Sequence, residues 1–303
     1  MKTLIRNYQI YLTDAFTDKA FGGNPAGVVI IKDPIKDSEM QKIATELKQS
    51  ETAFIYKLDK DIYQVRFFTP VEEVELCGHA TIATFWTKAI NGYIDPIEDG
   101  RKTVVQYTKA GKLEVYLDYE EYQIKKVTMA QPSPEYYGEC ENLEELVQAL
   151  GINMEDIGID GYKLDLPYVS TGIKDLMIPV KSRKILEDIR PDFALMESLS
   201  KKENFYSYHV YTSEDGFKEI YQRNFCPILG INEESATGTS TGALMAYLSK
   251  VGVLKENELI ANQGLEMNRP SQIFASIEKI NERDTILVGG KAKILIEGVV
   301  DLE

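Results

Sequence analysis

The sequence contains a faint copy of itself, and this constrains its architecture more than any other feature. Arg66-Phe67-Phe68-Thr69-Pro70 aligns with Arg223-Asn224-Phe225-Cys226-Pro227, so that Arg, Phe and Pro coincide at an offset of 157 (66 to 223). With three residues added to the second copy, Cys77–Ala83 falls on Thr237–Ala243. Gly, Thr and Ala then coincide at an offset of 160 (78 to 238), and Gly92 meets Gly252 at that same offset. So few coincidences also arise by chance, so the copy needs support from the order of the elements.

That order repeats. In the first half Ala26–Ile31 reads as a buried strand, and Ser38 with Gln41 reads as a capping box opening a helix. Met40, Ile43, Ala44 and Leu47 give that helix one apolar face. Strands at Ala53–Tyr56 and Tyr63–Phe68 follow, then a helix from about His79 to Ile90 closed by Asn91-Gly92. The second half offers a strand at Leu176–Val180, a helix from about Pro191 to Leu199 with proline in its first turn, and strands at Tyr206–Tyr211 and Glu219–Phe225. Its last helix runs from about Thr239 to Lys250, near Gly252.

Two α/β (α+β) domains of one fold are therefore expected. The first spans 1–127 and the second 128–292, with a strand near 293–303 available to return to the first. The boundary falls near Val127–Pro134, where strand-like alternation gives way to Gln-Pro-Ser-Pro and an acidic helix opening at Asn142. The helix His79-Ala-Thr-Ile-Ala-Thr-Phe-Trp carries no charge before Lys88, and its counterpart carries none before Lys250. A helix apolar on every side is buried on every side, so each domain should wrap its sheet around a central helix.

Composition excludes several classes of function. With 44% apolar residues the chain is a well-cored globular protein. A net charge of -14 and the lack of any basic run argue against nucleic acid and anionic membranes as partners. No apolar stretch approaches the roughly 20 residues that span a bilayer, and Met1–Thr17 alternates apolar with polar residues, so a cytoplasmic protein is expected. Cys77, Cys140 and Cys226 form no C-x-x-C pair, and only His79 and His209 accompany them. Neither a zinc site nor a disulfide framework is favoured, and no metal or other cofactor is expected.

The start of a buried helix leaves N–H groups without intrahelical partners, and the macrodipole adds roughly half a positive charge there. Gly78 and Gly238 both sit at such a start, where a small carboxylate can approach the backbone. Either glycine could equally serve only to turn the chain. Glu51, in Ser50-Glu51-Thr52, stands where a helix passes into a strand. A partly desolvated carboxylate there suits general acid/base work, although a solvated or capping glutamate fits the same position. His79 could orient a ligand or be a core histidine. His209, within Tyr-Ser-Tyr-His-Val-Tyr-Thr, reads as structural. Cys77 aligns with Thr237, and Cys226 with Thr69. The thiols are therefore not equivalents, a two-cysteine racemase is disfavoured, and Cys77 reads as a packing residue.

Five blocks together resemble the PhzF family of phenazine-biosynthesis-like isomerases. They are Phe-Gly-Gly-Asn-Pro-Ala-Gly-Val-Val (21–29), Gln-Ser-Glu-Thr-Ala-Phe (49–54), Phe-Phe-Thr-Pro-Val-Glu-Glu-Val-Glu-Leu-Cys-Gly-His-Ala-Thr (67–81), Val-Ser-Thr-Gly (169–172) and Glu-Glu-Ser-Ala-Thr-Gly-Thr-Ser-Thr-Gly (233–242). The resemblance spans nearly the whole chain, with the blocks in family order. It implies the diaminopimelate epimerase-like fold: two pseudo-symmetric domains, each a curled sheet around a central helix, with the active site in the cleft between them. It also implies cofactor-independent proton transfer on a small carboxylic acid. The family's founding activity is the isomerisation of dihydro-hydroxyanthranilate, and a homodimer is implied by likeness.

The resemblance puts the proton-moving glutamate at Glu51 and the substrate-holding histidine at His79. It puts pocket positions at Asn24, Ser50, Gly78, Gly238, Thr239 and Ser240. Where the family reads Glu-Asp-Pro-Ala-Thr-Gly-Ser-Ala, this chain has Glu234-Ser235 for the Asp-Pro and Thr239 for the serine, which implies a reshaped site with Glu234 as its second carboxylate. The alternatives are a non-catalytic ligand-binding protein on the same fold and an amino-acid epimerase that uses Cys77 as a base.

Overall fold

A computed structural model describes residues 6–302. Their contacts gather into two compact units. One comprises the described residues up to Ala130 together with those from Gly289 onward, and the other is Gln131–Val288.

In the first unit β1 (Arg6–Ala15) pairs antiparallel with β2 (Asn24–Ile31). The chain then crosses through α1 (Asp37–Leu47) to β3 (Glu51–Asp59), which lies parallel to β2. Beyond come β4 (Ile62–Phe68) and β5 (Glu73–Val74), then α2 (Gly78–Ile90), β6 (Gly100–Thr108), β7 (Gly111–Glu120) and β8 (Gln123–Ala130). β4 is antiparallel to β3 and β5 but parallel to β6. The chain's last strand, Ala292–Leu302, pairs antiparallel with β1 on the side away from β2.

Two predicted details differ. α1 begins one residue before Ser38, and its capping contact is Glu39, whose carboxylate accepts from the Lys36 N–H at 2.9 Å. Gln41 instead donates to the Thr69 carbonyl at 2.9 Å, because it lies beyond the first turn and faces β4. The apolar face of α1 is as expected: Met40, Ile43 and Ala44 are buried against Val29, Phe54 and Phe68.

α2 packs on β1, β2, β3, β8 and the final strand. Burial of side chains such as Ile82 and Phe85, worth about 1.5–3 kcal/mol each, holds it there. Even Lys88 is only 3% exposed. Its ammonium lies 4.7 Å from the Tyr63 ring centre and 5.1 Å from that of Tyr93, so two aromatic faces replace part of its hydration. Burial lowers its pKa to about 8.

The second unit opens with β9 (Glu135–Glu139) and α3 (Leu143–Leu150), then β10 (Pro167–Ser170) and β11 (Lys174–Pro179). Two helices, α4 (Arg183–Asp188) and α5 (Phe193–Glu203), lead to β12 (Ser207–Thr212), parallel to β11. β13 (Glu219–Cys226), β14 (Ile231–Glu234), α6 (Gly238–Lys250), β15 (Glu258–Gln263), β16 (Ser271–Ile280) and β17 (Arg283–Gly290) follow, and the final strand is β18. Sequence reading placed Pro191 in the first turn of one helix. The N-cap is instead Asp192, whose carboxylate accepts from the N–H groups of Ala194 and Leu195. α4 was missed, although Ser182 caps it.

The pairing scheme of the first unit recurs here. β13 is antiparallel to β12 and β14 and parallel to β15, as β4 is to β3, β5 and β6. A side-chain pair recurs with it. Arg66 grips Glu73 through Nε–Oε1 and Nη2–Oε2 bonds of 2.7 Å each, and Arg223 grips Glu233 at 2.8 and 2.9 Å. Glu73 and Glu233 are 160 apart in sequence (73 to 233), the offset of the helix starts. The fold is thus mixed α/β, two pseudo-symmetric units each curling a sheet around a buried helix. Among the described residues no helix is long and apolar enough to cross a membrane.

Candidate active site

The first unit gathers its candidate residues at the start of α2. Cys77 is the N-cap, with extended backbone (φ -140°, ψ 122°), and the first intrahelical bond runs from the Thr81 N–H to the Cys77 carbonyl. The N–H groups of Gly78, His79 and Ala80 precede that bond, and the Cys77 side chain caps none of them. α6 starts the same way, with Thr237 as an N-cap whose hydroxyl makes no capping bond and instead accepts from Gln263 Nε2 at 3.0 Å. Serine or threonine at an N-cap normally binds the helix's own amides. Here both helix mouths are left to other partners.

Gly78 does not take up the left-handed backbone that would demand glycine, and a Cβ built on it meets nothing within 4 Å. A turn therefore does not explain this glycine; what its missing side chain provides is open space at the helix start. Glu51 arrives from the other side. α1 ends at Lys48 with left-handed φ of 52°, and after Ser50 the chain enters β3 with Glu51 as its first residue, opposite Ala26 of β2.

Glu51 Oε2 lies 3.2 Å from His79 Nε2. That oxygen is buried and makes no hydrogen bond among the described residues, its alignment with the ring being too poor. Ser50 Oγ is 3.3 Å from the same nitrogen, donating or accepting according to the imidazole tautomer. Cys77 Sγ is 3.5 Å from His79 Nδ1. Burial pushes the His79 pKa below its ordinary value, and the Glu51 charge pulls the other way by less. The imidazole is therefore neutral near pH 7. The donor atoms of Glu51, Cys77 and His79 all lie within 4.8 Å of one another, so this is also the place where a metal ion would find three ligand types.

Ser50, Glu51, Gly78 and His79 are thus brought together, with Cys77 as a neighbour that sequence reading set aside as packing. Cys77 is indeed buried, but its thiol touches the imidazole, and an i, i+2 contact across an N-cap leaves no periodic signal in sequence. Asn24 is buried as the first residue of β2, two residues before Ala26, the register partner of Glu51.

In the second unit Glu234 ends β14, and Gly238, Thr239 and Ser240 form the first turn of α6. Glu233, the neighbour of Glu234, is held by Arg223 through both of its carboxylate oxygens. Ser240 points inward. It is 1% exposed, donates to Asp175 Oδ1 at 2.8 Å and accepts from Asn224 Nδ2 at 3.1 Å. Of its polar groups, only the backbone amide is left for a ligand. His209 is structural as expected: Nε2–H donates to Gln222 Oε1 at 3.1 Å, Nδ1 faces Asn224 Nδ2 at 3.1 Å, and burial lowers its pKa to about 3.

The family model of phenazine biosynthesis-like proteins matches residues 13–298. A Clostridium acetobutylicum protein called an uncharacterized isomerase is 41% identical over 253 residues, covering 81% of this chain and 80% of that one. The uncharacterized isomerase YddE of Salmonella typhimurium is 31% identical over 296 residues, covering 95% and 96%. Among solved structures, a PhzF-family phenazine biosynthesis protein of Bacillus anthracis superposes with a TM-score of 0.83 at 28% identity, over 97% of this chain and 99% of that one.

Proposed function

The chain belongs to the PhzC-PhzF family of phenazine biosynthesis-like proteins, and from that premise we propose that Glu51 is the acid/base of a cofactor-independent isomerase acting on a small carboxylic acid. That it is an isomerase follows from the family; the residue roles are our reading. Glu51, as carboxylate, takes a proton from a substrate carbon and returns it to another carbon on the same face. The number of protons on enzyme and substrate is unchanged over the cycle. Neutral His79 hydrogen-bonds a polar group of the substrate next to the reacting carbon, with Ser50 fixing its ring. The amides of Gly78 and His79 receive substrate oxygen. In the second unit, the start of α6 at Gly238, Thr239 and the Ser240 amide, with Glu234 close by in sequence, is proposed to receive an anionic group.

One observation carries this reading: among the described residues, Glu51 has a buried oxygen that makes no hydrogen bond, beside a neutral imidazole. A structural glutamate in such a place would be expected to use both oxygens. The test is solvent-deuterium incorporation into a panel of small carboxylic acids, dihydro-hydroxyanthranilate among them, by wild type and Glu51→Gln. Incorporation that survives the substitution would remove Glu51 from its role.

A second reading is favoured by the Cys77–His79 contact of 3.5 Å: an amino-acid epimerase in which Cys77 supplies a base for the opposite face. It predicts loss of activity in Cys77→Ser and inversion of configuration at the exchanging carbon. The single-acid reading predicts neither. A non-catalytic binder would incorporate no deuterium at all.

A further inference from the structure

The register pairs beside the two buried helices carry their carboxylates on opposite strands. In the first unit Ala26 of β2 stands opposite Glu51 of β3, and in the second Asp175 of β11 stands opposite Ser207 of β12. The second unit thus has a carboxylate where the first has alanine, and a hydroxyl where the first has its candidate acid/base. Asp175 is 0% exposed. Its Oδ1 accepts from Ser240 Oγ in the first turn of α6, while Oδ2 has no hydrogen-bond partner among the described residues. A fully buried carboxylate with an unpartnered oxygen is costly, and this one lies directly beneath a helix start that its own N-cap leaves open.

We propose that Asp175 is a positioning residue whose charge sets how strongly the start of α6 attracts an anion, so that anion binding there is accompanied by uptake of one proton on Asp175. Ionised, Asp175 answers the positive end of the α6 dipole from inside the protein and repels an anion arriving from outside. Protonated, it leaves the dipole to that anion. The atoms balance simply: the anion binds, one solvent proton joins a carboxylate oxygen, and no covalent bond of the ligand changes.

The surroundings permit this. Asp175 is flanked by uncharged Val169 of β10, its register partner, and Ser207 of β12. The titratable groups near it are Cys226 on β13 and His209 on β12, with Glu234 of β14 acting on Cys226. Burial holds the thiol protonated and the imidazole neutral, so neither offers a counter-charge. The pKa of Asp175 itself is raised to about 7, by burial, against smaller opposing bonds from Ser240 and Ser207. Ser240 is then the rigid link. Its Oγ joins Asp175 to Asn224, and Asn224 leads through His209, Gln222 and Gln263 to the Glu234 carbonyl.

The inference rests on the reading that the start of α6 receives an anionic group, and its test uses malonate as the probe. Infrared difference titration of wild type against Asp175→Asn should show a carboxyl band with a midpoint near neutrality that malonate moves upward. Calorimetry in buffers of different ionisation enthalpy should show proton uptake on malonate binding. Wild-type affinity should fall about three- to tenfold from about pH 6 to about pH 8, and the fall should vanish in Asp175→Asn, whose amide oxygen still accepts from Ser240. Should that variant fold poorly, Ser240→Ala serves instead. It removes the bond that favours the charged form and should raise the band's midpoint. A midpoint indifferent to malonate, an equal pH dependence in Asp175→Asn, or no malonate binding overturns the inference. Deuterium exchange dependent on Glu51 that persists alongside any of these results would leave the catalytic proposal standing, whereas its loss with an intact Asp175 titration would fail that proposal alone.

Discussion

Glu51 Oε2 and His79 Nε2 stand 3.2 Å apart without a hydrogen bond between them. A carboxylate so close to an imidazole yet unbonded keeps its lone pair available for an incoming proton. Burial keeps the neighbouring ring from becoming a permanent cation that would lock the pair together.

Glu51→Gln keeps the shape and removes the titrating group. Its deuterium exchange rate should fall about 100- to 10,000-fold, with circular dichroism unchanged. An exchange rate within a few-fold of wild type would speak for another base, and Cys77→Ser is the variant to measure next.

Gly78→Ala separates the two uses of a glycine. The backbone does not need glycine and the new methyl meets no neighbour, so thermal stability should hold or rise by up to about 1 kcal/mol. Turnover and ligand affinity should fall, because the methyl occupies the opening at the helix start. Lost stability with unaltered affinity would make the residue structural after all.

The protein has two histidines, so an NMR titration can follow both. Each should ionise below 6.5, the ordinary value, and His209 only near about 3. Because the folded values are depressed, both rings favour the native state while neutral. That contribution is complete above the ordinary value and is lost as pH falls toward the folded values. A His79 resonance titrating above 6.5 would contradict its burial.

Asp175 has the opposite sign. Its folded pKa of about 7 exceeds the unfolded 3.8, so the native state pays nothing below 3.8, loses stability as pH rises through that window, and carries the full cost above about 7. Asp175→Asn should therefore gain on wild type with rising pH, by about 4 kcal/mol at pH 8, as read from urea midpoints at several pH values. A gain independent of pH would mean the carboxylate does not ionise there.

The paired Arg–Glu forks should differ in weight. Arg223 is 7% exposed against 20% for Arg66, and Arg66 has a further carboxylate partner in Asp37. Glu233→Gln should cost about 3 kcal/mol or more, and Glu73→Gln about 1, judged by chemical denaturation. Equal costs would undercut the burial argument.

Much of this was legible in sequence, for identifiable reasons. α1, α2 and α6 announce themselves by apolar faces or by the absence of charge, and β11 by its apolar run Leu176-Met177-Ile178. The blocks that resemble PhzF sequences pointed to Ser50, Glu51 and His79. The rest lay hidden where tertiary packing overrides local pattern. Lys88 is the first charge of its helix in sequence, and only the fold shows two tyrosine rings beside it. Asp175 precedes Leu-Met-Ile-Pro as an ordinary acid would, and only the packing of α6 against β11 makes it a buried one. The Glu73 and Glu233 match was within reach, since it shares the helix-start offset, but strands as short as β5 and β14 carry no periodicity to draw the eye.

β1 and β18 are joined along their length from Arg6–Leu302 to Ala15–Ala292. During synthesis β1 must therefore wait, one edge bare, until nearly three hundred further residues have left the ribosome, whereas the elements of the other unit, through β17, all precede β18. Pairing so distant in sequence is slow to form. The two halves, alike in design, are thus set to mature in reverse order of their appearance, and a nascent chain stalled short of β18 would expose an open sheet margin to its neighbours.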